Sequence, residues 1–436
     1  MQGILFEYEI NPTTWVYLSS LMTIGIYFKF RRFWSMRNLD LVGLIAFSPG
    51  LLLVYHGLAR DLPLLLRIGY VWLFAVGGCF LARLLLDSMM VRRPLLEPNL
   101  SAGGLTFTGL ALLFFLMANI VTNRPAHRLE HVLSADPIPA EQVPGYAFFY
   151  YFAKFPDQAI FQGDAPPHEQ QRRELVRLIT VKTTAILGHL AIVLGIVLVS
   201  YRHFGNLQTG VAAATLYLLL PYTAQLTGRV GHVVPGALMV WAIEAYRRPM
   251  LAGLLLGLGS TLMAFPWGVG YYPLFLLPLW CSFYAQRGWG RFLIGVAIAL
   301  LLVMLPLALS AENPSMFIDR LRAAFALASL APDDLVGFWQ FFEPVYRLPV
   351  IVAFAALCMS LALWPAQKNL GTLLSCSAAV ILGTQFWKAH EGGLYMAWYL
   401  PLLILTIFRP NLEDRVAIST VRETRRKRKK KPQPAL

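Results

Sequence analysis

Charged residues are scarce in this 436-residue sequence. Only 14% of its residues are Asp, Glu, Lys or Arg, whereas a soluble globular domain has about 25%. Hydrophobic residues make up 57% of the chain, and its mean hydropathy is +0.57. A soluble core cannot bury this much apolar chain, so an ordinary soluble domain is excluded. The composition predicts an all-α fold, a polytopic bundle of transmembrane helices.

Cysteine pairs and the common motifs of soluble enzymes are also missing. The four cysteines fall inside apolar stretches and form no CxxC pair, so neither a disulfide framework nor a zinc site is indicated. There is no Walker loop, GxSxG elbow or HExxH motif. The residues therefore predict no metal site and none of the chemistry that those motifs support.

Long hydrophobic runs dominate what is present. A helix needs about 20 apolar residues to cross the hydrocarbon core of a bilayer. The sequence predicts about thirteen such spans, at 13–29, 40–58, 64–86, 102–121, 178–200, 207–226, 232–246, 250–265, 269–285, 292–310, 346–364, 370–387 and 394–408. The apolar block 250–285 breaks at 265–268. We interpret this break as a tight hairpin, and a single kinked helix with a re-entrant piece is the alternative. Within it, Gly253 and Gly257 form a GxxxG pattern that predicts close helix packing.

The distribution of Lys and Arg over the short loops predicts the orientation. One side carries Lys29, Arg31, Arg32, Arg37, Arg92, Arg93, Arg202, Arg247, Arg248, Arg287, Arg291 and Lys368, and the other carries Arg60, Arg67, Arg229 and Lys388. Because basic loops stay in the cytoplasm, we expect the N-terminus outside and the C-terminus inside, in a multi-pass protein of the plasma (inner) membrane. The basic tail 409–436 is predicted to contact anionic lipids. It has no aromatic residues to stack on bases, so we expect no nucleic-acid partner.

This orientation places the two long loops, 122–177 and 311–345, on the outer side. Each contains a dense aromatic stretch, at 146–155 in the first and at 338–342 in the second. Aromatic residues beside a membrane favour segments that lie in the lipid interface. We therefore expect both loops to cover the outer surface as lids.

Charges inside the predicted spans are few, and each has a structural explanation. Arg83 and Asp87 have the i,i+4 spacing of an ion pair. Glu244 can pair with the basic turn 247–248, and His189 is expected to be a hydrogen-bonded core residue. An ion-coupled transporter would need ionisable groups near the midplane of the membrane, and this sequence provides almost none.

Polar residues concentrate instead at the predicted outer rim. The rim residues are Glu130, His131 and Asp136 in the first long loop, Arg229 and His232 in a short loop, and Lys388, His390 and Glu391 in the last outer loop. A carboxylate beside cations at the lipid boundary can deprotonate a hydroxyl group while the cations hold a phosphate leaving group. The alternative, that these are ordinary solvated loop residues, stays open.

The order of elements from residue 102 onward resembles the conserved module of the GT-C membrane glycosyltransferases. It runs helix, long outer loop, six closely connected helices and a second outer loop. The closest local likeness, 229–236 followed by 247–258, is similar to the rim loop, basic turn and AGLLLGL-type helix of polyprenol-phosphate-mannose-dependent enzymes. Pro266 also matches, whereas Phe265 stands where those enzymes often have Lys.

The resemblance implies a GT-C-like fold and a sugar donor linked to polyprenol phosphate. A mannose-like sugar would pass to a lipid, glycan or protein acceptor on the outer side. Asp136 is the best match to the family's general base, and Glu130 is the second; Arg229, His232, Lys388 and His390 would bind the donor phosphate. Whether a divalent metal accompanies the donor stays open. The partners expected are membrane lipids and the lipid-linked sugar.

The chain then divides into four parts. These are an N-terminal three-helix unit (1–100), a catalytic module with the outer loop 122–177 (101–310), the second outer loop with the last helices (311–408), and the basic tail (409–436).

Two other functional classes remain as alternatives. A transporter or flippase of lipid-linked glycans predicts pseudo-symmetric halves and a continuous polar cavity. An O-antigen polymerase or ligase also uses outer Arg and His residues, but its dominant outer loop usually lies late in the chain.

Overall fold

A computed structural model describes residues 11–89, 97–122, 169–261, 272–309, 313–315, 317–318, 335–366 and 368–410. These residues form helices and connecting turns, with a single isolated bridge between Val336 and His390. The helices are α1 (Pro12–Tyr27), α2 (Met36–Arg60), α3 (Pro63–Leu85), α4 (Ala102–Thr122), α5 (Glu169–Phe204), α6 (Leu207–Leu219), α7 (Pro221–Gln225), α8 (Val230–Glu244), α9 (Pro249–Thr261), α10 (Leu277–Tyr284), α11 (Trp289–Leu309), α12 (Arg347–Leu363), α13 (Leu370–Trp387) and α14 (Leu400–Phe408).

Six helical segments of the described chain are long and apolar enough to cross a membrane. They are Met36–Arg60, Pro63–Leu85, Ala102–Thr122, Val181–Phe204, Pro344–Leu363 and Leu370–Trp387. This confirms the prediction of an all-α membrane protein. The remaining apolar helices are shorter, so the count of thirteen crossings stays a prediction.

The predicted span 207–226 is divided into two helices. Helix α6 ends at Leu219 and α7 begins at Pro221. Proline has no backbone N–H to donate, so it starts a helix easily but cannot continue one. The break places Tyr217 and Tyr222 on two different helices.

Helices α9 and α11 pack closely through glycine. A side chain on Gly253 would meet the carbonyl of Phe292, and one on Gly295 would meet the carbonyl of Met250. A Cβ on Gly257 would lie 2.6 Å from that of Ala299. The GxxxG pattern therefore serves helix packing, as the sequence predicted.

The same contacts show that α9 and α11 run parallel. Gly253 faces Phe292, and Gly257, four residues on, faces Val296. Gly288 lies beside Pro249, where α9 begins. The break predicted at 265–268 lies outside the described residues, so the hairpin stays a prediction.

Helix α13 lies at the centre of the bundle. It starts with a capping box, in which Asn369 accepts from the backbone N–H of Thr372 and the Thr372 hydroxyl accepts from that of Asn369. Of its residues, 89% are buried. Its polar side chains are paired inside the protein, as where Trp280 donates to Ser377 at 3.1 Å. Because α13 does not face lipid, it can carry polar residues down to Gln385 at its other end.

An ion network joins α2, α3 and α14 near the start of α13. Arg83 contacts both carboxylate oxygens of Asp40, at 2.8 and 2.9 Å, and Asp87 at 2.9 Å, which confirms the predicted Arg83–Asp87 pair. Asp87 is also bound by Arg409 just after the last helix. Breaking a buried pair of this kind typically costs about 3–5 kcal/mol.

The N-terminal helices belong to the same hydrophobic core as the rest of the described chain. The Tyr27 hydroxyl donates to the carbonyl of Ala212 at 2.9 Å, and Trp15 stacks on Phe115. Helix α3 packs directly on α13. The first three helices can therefore contribute to a site built on α13.

Glu244 was expected to pair with the basic turn 247–248, and this was wrong. Its carboxylate instead binds Arg202 at the end of α5. Helices α5 and α8 pack side by side and end together, so Arg202 is the nearer cation. Sequence proximity alone favoured the wrong partner.

Candidate functional site

Three of the four predicted phosphate-binding residues meet at one end of the bundle. Arg229 and His232 lie at the start of α8, and Lys388 directly follows α13. Together with Glu391 and Tyr395, in the connection between α13 and α14, they form what we call the rim cluster. The predicted catalytic residues Asp136 and Glu130 lie outside the described residues.

Arg229 is the most accessible cation of the cluster. Its guanidinium Nη1 lies 3.2 Å from Oε2 of Glu391, and the two side chains are 28% and 18% exposed. Arg229 is also the N-cap residue of α8. The partial positive charge of the helix N-terminus adds to its own, which makes this position favourable for an anion.

Lys388 is the buried cation of the cluster. Its side chain is only 3% exposed, and its Nζ lies 3.8 Å from the centroid of the Tyr395 ring and 5.0 Å from that of Trp398. The ring faces attract the ammonium group. Burial nevertheless lowers the pKa of Lys388 to about 7, with the charge of Glu391 acting in the opposite direction.

His232 is engaged by protein groups on both sides. The Tyr222 hydroxyl lies 2.8 Å from Nδ1. The imidazole stacks on Tyr395, with centroids 4.3 Å apart. In this arrangement His232 holds Tyr395 in place, while Arg229 and Lys388 are the groups placed to meet a phosphate.

The fourth predicted phosphate-binding residue, His390, lies on the loop beside the cluster and forms the bridge with Val336. The Val336 N–H donates to the carbonyl of Ala389 at 3.1 Å, and the Glu391 N–H donates to the carbonyl of Val336 at 2.9 Å. These bonds attach the end of the second long loop to the cluster.

The loop that carries Lys388 and Tyr395 is held in place by hydrogen bonds to α13 and α8. The side-chain oxygen of Gln385 accepts from the N–H groups of Gly393 and Tyr395, each at 3.2 Å. The indole of Trp398 donates to the carbonyl of Gly231 at 2.9 Å and so ties the loop to α8. The cluster is therefore pre-organised by its supporting residues.

The turn that precedes Arg229 is supported from the core. The His189 Nε2 lies 3.0 Å from the carbonyl of Thr227, and the Tyr217 hydroxyl lies 3.0 Å from His189 Nδ1. This confirms His189 as a hydrogen-bonded core residue. It also gives His189 a role in positioning Arg229.

Sequence reasoning missed the aromatic residues around the cluster. Tyr222, Tyr395 and Trp398 contact the predicted residues directly. Tyr70 of α3 lies beside Gly337, which also adjoins Glu391. Glu391 had been named only as one of several rim residues. The density of aromatic residues in 395–399, next to Lys388, was the available signal.

The cluster combines two cations, one carboxylate and apolar ring faces. Such a set can bind a phosphate group that carries an apolar chain and can accept a proton nearby. In the part of the chain that the structure describes, no group of three His, Cys, Asp or Glu side chains could hold a metal ion.

Comparisons with protein-family models, with curated proteins and with solved structures found no match to this chain.

Proposed function

We propose that the chain is a GT-C-like membrane glycosyltransferase that uses a polyprenol-phosphate sugar as donor. The sugar, mannose-like by the resemblance, would pass to a lipid, glycan or protein acceptor on the non-cytoplasmic face. The observation that carries the proposal is the convergence of Arg229 and Lys388 around Glu391, which is 162 residues from Arg229 in sequence.

In the proposed reaction, Arg229 and Lys388 hold the donor phosphate. A carboxylate takes the proton of the acceptor hydroxyl, whose oxygen forms a bond to the anomeric carbon of the sugar. The bond between that carbon and the phosphate oxygen breaks, and the polyprenyl phosphate leaves with the electron pair. Cations fixed beside the leaving phosphate stabilise the charge that develops there.

The apolar helices and the aromatic rings beside Lys388 both suit a donor with a long apolar chain. The phosphate would sit at the helix ends, with the polyprenyl chain among the helices. The resemblance assigns proton abstraction to Asp136, with Glu130 as the second candidate.

The test is transfer of labelled sugar from a polyprenol-phosphate donor by the purified protein in proteoliposomes. We expect labelled product from the wild-type protein. A general base at Asp136, as the resemblance implies, would make Asp136→Asn lose about 10²-fold or more of the transfer rate. Full activity of both Asp136→Asn and Glu130→Gln would exclude the two bases that the resemblance implies, and a wild-type protein that forms no labelled product would contradict the proposal. Movement of the lipid-linked sugar across the bilayer without any transfer would instead support a flippase.

A further inference from the structure

Glu391 is held in an unusual backbone conformation inside the rim cluster. Its φ is +48°, a left-handed value that non-glycine residues seldom adopt. Its N–H is bound to Val336, and its carbonyl accepts from the N–H of Leu394. Conformations of this kind persist where the surrounding structure enforces them, and they concentrate at functional sites.

The neighbouring segment is shaped to fit Glu391. Gly337 has a φ of +93°, which glycine adopts readily, and a Cβ there would lie 3.0 Å from the Cα of Glu391. It would also come within 3.2 Å of the Tyr70 ring. Glycine at 337 therefore leaves room for the strained backbone of Glu391, whose side chain is presented to Arg229.

The Arg229–Glu391 ion pair is held by few contacts. Arg229 and Glu391 share one contact, at 3.2 Å, and both side chains are partly exposed. Arg83, in contrast, donates two shorter hydrogen bonds to the carboxylate of Asp40. Part-exposed pairs contribute little to stability and exchange readily. Among the described residues, Glu391 is the carboxylate that contacts Arg229, and its charge also acts on Lys388.

We infer that Glu391 occupies the phosphate position on Arg229 until the donor binds, and that the displaced carboxylate is then the proton acceptor for the acceptor hydroxyl. This rests on the proposed function and assigns the base to Glu391 rather than to Asp136 or Glu130. The proton moves from the hydroxyl to Glu391, the hydroxyl oxygen bonds to the anomeric carbon, and the lipid phosphate departs bound to Arg229.

The test combines a binding and a transfer measurement on Glu391→Gln, which keeps the side-chain size and removes the charge. Polyprenyl phosphate should bind this variant about two- to fivefold more tightly than the wild type, because a part-exposed competing ion pair is gone. Transfer should fall by about 10²- to 10⁴-fold. Glu391→Asp, which restores a carboxylate, should recover part of the transfer.

Glu343→Gln is the matched control, since Glu343 is exposed on the same end of the protein and is not part of the cluster. Thermal unfolding of each variant shows whether it is folded. Equal affinity for polyprenyl phosphate in the wild type and Glu391→Gln overturns the inference, and so does unchanged transfer. A wild-type protein that binds polyprenyl phosphate but transfers no sugar would refute the glycosyltransferase proposal. The replacement of Glu391 by phosphate at Arg229 would then be tested by comparing the affinities of the wild type and Glu391→Gln for polyprenyl phosphate.

Discussion

Lys388 follows the last turn of α13 and places its ammonium group against the Tyr395 and Trp398 rings, almost entirely out of solvent. A desolvated cation over an aromatic face gains roughly 2 kcal/mol or more. That gain does not fully replace hydration, so the pKa of Lys388 falls to about 7. A group of this kind changes charge close to neutral pH.

The affinity for polyprenyl phosphate should therefore depend on pH. Below a pH of about 7, Lys388 is charged and attracts the phosphate. Above that pH, Lys388 must first take up a proton to bind the phosphate, so affinity falls as pH rises. We expect Lys388→Met to bind more weakly and to lose this decline, as measured by titration across the neutral range.

Lys182 supplies the control for that titration. It lies within α5, where its Nζ donates to the carbonyl of Val121 in the last turn of α4. Lys182→Met should keep the pH dependence of the wild type. An unchanged dependence in Lys388→Met would contradict the role given to Lys388.

For single residues, the sequence could indicate which charged side chains form the rim cluster but not which side chains surround them. Arg229 and Lys388 were found because cations are rare in the predicted outer loops. The role of His232 depends on Tyr222, on the far side of the break at Pro221, and on the stacking of Tyr395. Such side-chain orientations are set by tertiary packing, which local pattern does not encode.

Among the elements, the parallel pair α9 and α11 depends most on residue size. Gly295 packs against the backbone of Met250, and a Cβ there would also come within 2.8 Å of the Leu254 nitrogen. Backbone atoms of a packed helix cannot move aside cheaply. Any side chain at Gly295 must push the two helices apart.

Gly295→Ala should lower the thermal unfolding temperature of the purified protein. Gly78→Ala is the matched control, because Gly78 lies within α3 and a Cβ there would meet nothing within 4 Å. Alanine is favoured over glycine in helices by about 1 kcal/mol, so the control should unfold no earlier than the wild type. Equal unfolding temperatures for Gly295→Ala and the control would argue against this packing.

The elements were largely predictable, and the exceptions have physical causes. Each predicted span overlaps a helix because hydropathy reports apolar length directly. The span 394–408 was too long: its first part is a turn, and α14 begins only at Leu400. Hydropathy does not distinguish an aromatic loop from a helix, and this loop carries Tyr395 and Trp398.

On the scale of the whole molecule, α13 runs between two ends of the bundle that carry different groups of charged residues. The ion network of Arg83, Asp87 and Arg409 lies near its start, and the rim cluster lies at its finish. Its 18 residues span about 27 Å, close to the thickness of the hydrocarbon core. The excess of Lys and Arg predicts that the rim cluster faces outward.

That orientation can be tested with single cysteines in a variant lacking the four native ones. A membrane-impermeant thiol reagent added to intact cells should label Glu343→Cys, near the rim cluster. Arg248→Cys, in a basic turn at the opposite end, should be labelled only after permeabilisation. The reverse pattern would invert the predicted topology and place the cluster in the cytoplasm.

The convergence of the site is a property of the whole molecule. The contact between Arg229 and Glu391 depends on how α3, α8 and α13 pack, and no local pattern specifies it. Sequence reasoning could only place both residues on the same predicted side. The structure adds that they meet on a fixed aromatic support.

The central claim, that the rim cluster binds a lipid phosphate, is tested most directly by comparing two ligands. Purified protein is titrated with polyprenyl phosphate and with the matching neutral polyprenol. The phosphate should bind more tightly by about tenfold or more, as for a charge-assisted contact. This preference should be lost in Arg229→Gln and kept in Arg60→Gln, which removes an exposed cation at the end of α2. Equal affinity for the two lipids, or an unchanged preference in Arg229→Gln, would contradict the account.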